Sequence, residues 1–178
     1  QALMAAEIPV VGPMVLQGRT LHHFGDFAFA VSPRRGGRPP ELDDAEVLEW
    51  IGRFLARIHT VGAAQPFAHR PALDLQSFGT ESRSYLLDHD RLPLDVQSGW
   101  AKTSQRALEL IATHACLTGA PTPGETMQHI RLHGDCHPGN ILWTPLDMPA
   151  SALPGPHFVD LDDARMGPAV QDHWMLLS

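Results

Sequence analysis

The stretch that most constrains this chain is Arg131–Asn140, RLHGDCHPGN, with its echo at 157–163, HFVDLDD. Short apolar runs at Ile130–Leu132, Ile141–Trp143 and Phe158–Val159 bracket these polar loops. Runs of that length, flanked by Gly, Pro and Asp, predict strands. One loop then carries Asp135 and Asn140, and the end of the next strand carries Asp160, so three oxygen-bearing side chains can converge. Asp, Asn, Gly and Pro are also ordinary turn residues. For the set as a whole the crowding of carboxylates argues otherwise, because neighbouring anions repel unless a cation offsets them.

Two chemistries compete for such a loop. In one, Asn140 and Asp160 give hard oxygen ligands to Mg²⁺, which otherwise takes water and phosphate oxygens, while Asp135 accepts a proton from an attacking hydroxyl. In the other, His133, Asp135 and His137 form an HxDxH cluster of a metal-dependent hydrolase. Alternate residues of an extended segment point one way, so the second is allowed by geometry, although no remote His carries a motif of its own. The spacing favours the first: His133-Gly134-Asp135, with Asn140 five residues after the Asp, follows the H-R-D-x-x-x-x-N loop of kinases with Gly for Arg, and Asp160-Leu161-Asp162 falls where D-F-G would.

HGDCHPGN followed by VDLDD resembles the aminoglycoside phosphotransferase and choline kinase-like family. Within it, LHGDCHPGNILW and FVDLDDARMGPAVQDHWMLL are most similar to a bacterial serine/threonine protein kinase branch acting in stress responses. The similarity extends back through Gly36-Gly37-Arg38 and the Trp50–His59 segment, nearly the whole chain. It implies an α+β, protein-kinase-like fold: a small-lobe remnant over 1–32, a hinge over 33–40, and the core of a mainly helical large lobe over 41–178. It also implies roles. Asp135 would be the catalytic base and Asn140 and Asp160 the Mg²⁺ ligands. His133 would position the loop, and Asp172 would brace it. The backbone of Pro33 and Arg35 in the hinge would hold the adenine of ATP. The implied reaction transfers the γ-phosphoryl group of ATP to Ser or Thr hydroxyls of protein, the enzyme itself included; a small-molecule hydroxyl kinase on the same fold is the near alternative, and a pseudokinase-like interaction module a more distant one. Asp162 and Asp163 stay open as second-metal or structural groups.

The rest of the chain reads as scaffold. Residues 8–16, IPVVGPMVL, suit an edge strand or a loop entering one. Thr20–Phe24 and Phe27–Ser32 flank Gly25-Asp26 and read as a hairpin. After the Pro- and Gly-rich linker, Asp43 and Asp44 open a helix to about Thr60, stopped by Gly62, with Val47, Leu48, Ile51, Phe54, Leu55 and Ile58 on its apolar face and Glu49, Arg53 and Arg57 in solvent. His59, near its end, reads as a structural or capping residue. Residues 62–80 look irregular, Glu81–His89 a short helix, and Gln97–Leu117 a long one with Trp100, Ala107, Leu108, Ile111 and Ala115 toward the core. A break over Thr118–Gly124 and a surface connection over Thr144–Pro156 follow, and Gly167-Pro168 opens a last helix, Ala169–Leu177.

Composition bounds the partners. Thirteen basic against twenty acidic residues give a net charge of −7. With no basic stripe and no apolar run long enough to span a bilayer, nucleic acid and membrane are not expected partners, and a cytoplasmic location is. Two cysteines make no disulfide framework, and a thiol beside Asp135 is a poor nucleophile. A working kinase also needs a glycine-rich phosphate loop, a strand Lys and a helical Glu. Here the sole lysine is Lys102, in a late helix, and Gln1–Ala6 reads as the tail of the Glu-bearing helix. The expectation is therefore an interior piece of a longer protein, inactive or nearly so by itself.

Overall fold

Helix periodicity builds the frame on which the loops hang. In the computed structural model, which describes residues 1–114, 128–148 and 153–178, helix α1 (Ala2–Ala5) is followed by strands β1 (His22–Phe24) and β2 (Phe27–Phe29), then helices α2 (Ala45–Ala63), α3 (Glu81–Asp88) and α4 (Leu94–His114). Strands β3 (His129–Arg131), β4 (Ile141–Thr144), β5 (Gly155–Phe158) and β6 (Met166–Pro168) and helix α5 (Val170–Leu177) complete the order. The strands form three antiparallel pairs, β1–β2, β3–β6 and β4–β5.

The central helix is α2. Asp44 caps it, its carboxylate accepting from the Glu46 amide at 2.8 Å. Val47, Ile51, Leu55, Ile58 and Gly62 recur every three or four residues and are buried. The first four face Ile8, Cys136, Ile141, Trp143, Phe158 and Leu176 in one core. Gly62 lies inside the helix and does not stop it: a Cβ there would sit 2.2 Å from the Arg131 carbonyl oxygen, so glycine lets α2 touch β3. Arg57 is not simply solvated either, since its guanidinium donates to the Ala6 carbonyl at 2.7 Å and ties down the end of α1.

The hairpin forms as expected but is shorter, with Gly25 at φ +57° in its two-residue turn and Phe24 opposite Phe27. Residues 8–16 contribute a single parallel bridge, Val10 to Phe158, because Pro9, Gly12 and Pro13 interrupt any ladder. Between α2 and α3 lies a π-helical turn, Gln76–Thr80, where irregular chain was expected. Helix α4 starts at Leu94, earlier than expected; Trp100, Leu108 and Ile111 are half-buried and Ala107 is exposed. The expected helix end at Leu117, with Ala115, and the break over 118–124 lie outside the described residues. Gly167 and Pro168 belong to strand β6, paired with Ile130 and His129, so α5 begins only after them. Strand β5 likewise covers Gly155–Phe158 and leaves Val159 and Asp160 in the loop beyond it.

Candidate active site

Strand β3 leads into the HGDCHPGN loop and β4 leads out of it. The turn at its start depends on Gly134, which has φ +89° and whose Cβ would fall 2.1 Å from the Asp163 carbonyl oxygen. This positive φ breaks the extended run that an HxDxH cluster needs. His133 is fully buried and its Nε2 donates to the Val159 carbonyl at 2.9 Å, while His137 Nδ1 accepts from the Gly139 amide at 3.0 Å and caps the 3₁₀ turn Pro138–Asn140. Of the two histidines, His137 approaches Asp135 through Nε2, at 3.6 Å. Among the described residues no three His, Cys, Asp or Glu side chains come together as a metal-holding group. The hydrolase reading is thereby corrected.

Asp172, in the first turn of α5, reaches this loop from 38 residues away in sequence. Its side chain is fully buried. Oδ2 accepts from the His133 amide at 3.0 Å and from His59 Nε2 at 2.9 Å, and Oδ1 accepts from the Gly134 amide at 2.9 Å. Burial alone would raise its pKa, but the hydrogen bonds from His59 and the two loop amides outweigh it and hold the carboxyl below the usual carboxylate range. His59 is therefore no helix cap but the third support of the Asp172 carboxylate. Nothing in the sequence marks that pairing, since the two residues stand 113 positions apart.

Burial holds His133 below its ordinary pKa even though Asp172, Asp135 and Asp160 all favour its charge. Its ring is thus neutral, with the proton on the Nε2 that faces Val159. Cys136 is fully buried and its thiol is pushed up to about 12 by burial, then by Asp172 and Asp135, so it is no nucleophile.

At the loop's far end Asn140 folds back: Nδ2 donates to the Asp135 carbonyl at 2.9 Å and to its carboxylate at 3.2 Å. The Asp135 side chain stays about one-third exposed, at 32%. Asp160 is exposed and takes φ +56°, a left-handed conformation that Asp tolerates better than most residues. Next to it, Arg70 donates to the carbonyls of Asp162 and Ala164, and Arg165 pairs with Asp163 at 2.6 Å, which gives Asp163 a structural partner.

The 33–40 segment crosses over strand β4: Arg38 and Trp143 exchange backbone hydrogen bonds, and Gly37 packs so closely on Leu142 that a Cβ would fall 2.7 Å from it. Pro33 and Arg35 line a cavity of about 1020 Å³ with Ile8, Phe54, Trp143 and His157. The Arg35 guanidinium donates to the Leu153 carbonyl at 2.9 Å.

Comparison with known proteins agrees with this geometry. The sequence profile described as "Phosphotransferase enzyme family" (APH) matches residues 1–178. Stress response kinase A of Escherichia coli K12 is 40% identical over 176 residues, 99% of this chain and 48% of that protein. The serine/threonine protein kinase RdoA of Salmonella typhimurium LT2 is 38% identical over the same length. The chain thus spans about half the length of these relatives. Among solved structures, the amicoumacin kinase hAmiN in complex with AMP-PNP, Ca²⁺ and Ami superposes with a TM-score of 0.69 at 19% identity, over 99% of this chain and 49% of that one. Spectinomycin phosphotransferase APH(9)-Ia, in complex with ADP and its antibiotic, gives 0.62 at 15% identity, over 96% and 53%. With the profile matched from end to end and the protein-kinase-like fold shared with these structures, the chain belongs to the APH phosphotransferase enzyme family.

Proposed function

We propose that the complete protein transfers the γ-phosphoryl group of ATP to Ser and Thr hydroxyls of protein, its own included, in a bacterial stress response. The observation that carries the reading is the pre-set loop: the Asp172 carboxylate holds the His133 and Gly134 amides at one end, and the Asn140 side chain holds Asp135 at the other. Catalysis of phosphoryl transfer is largely positioning and electrostatics, so a loop fixed at both ends is the expected device.

In this account Asp135 orients the acceptor hydroxyl and takes its proton, for which its partial exposure leaves room. His133 and Asp172 position the loop without touching substrate. Asn140 turns its Nδ2 toward Asp135, which leaves the Oδ1 lone pairs for a cation, and Asp160 offers an exposed carboxylate. Such hard oxygens fit Mg²⁺ and not a softer ion. When bound, the ion neutralises charge on the ATP phosphates. The backbone of Pro33 and Arg35 holds the adenine.

Protein is favoured over a small molecule as acceptor by the names of the relatives near 40% identity, whereas the antibiotic kinases resemble this chain in fold alone. Incubating the complete protein with γ-labelled ATP, Mg²⁺ and a panel of aminoglycoside, choline and homoserine separates the two. Label on Ser or Thr of protein is expected. Label on a small molecule alone would overturn the assigned acceptor while leaving phosphoryl transfer intact.

A further inference from the structure

A cap does not need an imidazole: Asn, Asp, Ser and Thr accept the amide with shorter side chains, yet His137 holds that place in the catalytic loop. Its ring is seated on Gly139, where a Cβ would fall 2.6 Å from Cε1 and 2.9 Å from Nδ1. The Gly139 amide donates to Nδ1 at 3.0 Å. A ring nitrogen that accepts holds no proton, so the proton of the ring sits on Nε2. That second nitrogen is what the imidazole adds to the cap, and it lies 3.6 Å from Asp135 Oδ2. Burial does not account for the ring, since the His137 side chain is 42% exposed.

The Asp135 carboxylate meets its donors on one oxygen. Asn140 Nδ2 donates to Oδ2 at 3.2 Å, but it shares itself with the Asp135 carbonyl at 2.9 Å, and the His137 Nε2–H stands off the same Oδ2. No other hydrogen bond reaches this carboxylate among the described residues, so Oδ1 keeps its lone pairs. The last torsion of an Asp side chain is broad, and a single shared donor leaves it free to turn. A second donor, from another residue, narrows it. At 3.6 Å the histidine contact is longer than a hydrogen bond. Contacts of catalytic groups are often this long without substrate and tighten in the reacting complex.

We infer that His137 is a positioning residue for phosphoryl transfer: its Nε2–H and the Asn140 amide together hold Asp135 Oδ2 and so aim Oδ1 at the acceptor hydroxyl. The inference rests on the phosphoryl-transfer reading. As the hydroxyl oxygen bonds to the γ-phosphorus and the bond from that phosphorus to ADP breaks, the hydroxyl proton passes to Asp135 Oδ1. His137 keeps its own proton throughout.

Two substitutions separate the two nitrogens of the ring. His137→Asn puts an acceptor in the place of Nδ1, which keeps the cap, and leaves nothing at Nε2. His137→Gln carries an amide NH₂ toward the place of Nε2 and gives up the cap. Transfer from γ-labelled ATP by the complete protein, with ATP varied at fixed Mg²⁺, gives kcat and the KM for ATP, and thermal melting shows that each variant is folded. His137→Asn is expected to melt like the native protein and to keep its KM, with kcat lowered by roughly tenfold to 100-fold. His137→Gln is expected to recover most of that kcat, even at a lower melting temperature. A ring that serves only as a cap gives the opposite order. Native kcat in folded His137→Asn, or a folded His137→Gln no faster than His137→Asn, overturns the inference and leaves phosphoryl transfer standing. Absence of transfer by the native protein instead sinks the phosphoryl-transfer reading, and this inference with it.

Discussion

Replacing Asp172 by Asn exchanges one carboxylate oxygen for an NH₂ at the point where the fold meets the loop. Three donors converge on the native carboxylate: the His133 and Gly134 amides and His59 Nε2. An Asn side chain has one oxygen, so at least one of these N–H groups must face an NH₂. The side chain is fully buried, and water cannot take the lost partner's place. A buried donor left without its partner costs about 1–3 kcal/mol, and more where that partner was charged, so a loss of roughly 2–4 kcal/mol is expected. Any displacement of His133 and Gly134 passes to Asp135, one residue on, and a misplacement of about 1 Å costs on the order of 100-fold in rate. Urea unfolding of the complete protein and its Asp172→Asn variant measures the first effect. Phosphoryl transfer at a urea-free temperature where both are folded measures the second. A variant within about 0.5 kcal/mol of the native protein, with an unchanged kcat, would refute the bracing role, because surface substitutions alone fall in that range.

Gly62→Ala pits two effects against each other: helix propensity gains about 1 kcal/mol, but the new Cβ lies 2.2 Å from the Arg131 oxygen. Forcing α2 away from β3 should win, with a net loss on the order of 1–3 kcal/mol in a melting experiment. His133 and His157 are both held below their ordinary value of 6.5 by burial, so the unfolded chain takes up protons before the folded one does. Stability should therefore fall as pH drops below about 6.5, and a His157→Phe variant should show a shallower slope in pH-dependent unfolding. Cys136, buried with its thiol raised to about 12, should resist iodoacetamide in the native protein and react only on unfolding, as read by peptide mass mapping.

The loop itself was legible in the sequence because its chemistry is local: five residues separate Asp135 from Asn140, and short apolar strands flank them. Helix α2 was legible for the same reason, since Val47, Ile51, Leu55 and Ile58 repeat at its own period. What could not be read depends on contacts between distant segments. Gly62 resembles a helix stop until β3 lies against it, and Gly167-Pro168 resembles a helix opening until it pairs with His129 and Ile130. His59 is the plainest case. Its position near a helix end suggests capping, and only the folded chain brings it to Asp172. Likewise, an HxDxH cluster is sound geometry for an extended strand and fails only because Gly134 turns the chain.

The central claim is that Asp135 serves as the base for phosphoryl transfer from ATP. The most direct measurement is γ-labelled phosphate transfer by the complete protein carrying Asp135→Ala, with circular dichroism and melting to show that the fold is kept. Loss of a positioned base predicts a fall of about 100-fold to 10,000-fold in rate. Transfer at the native rate by the folded variant would contradict the account.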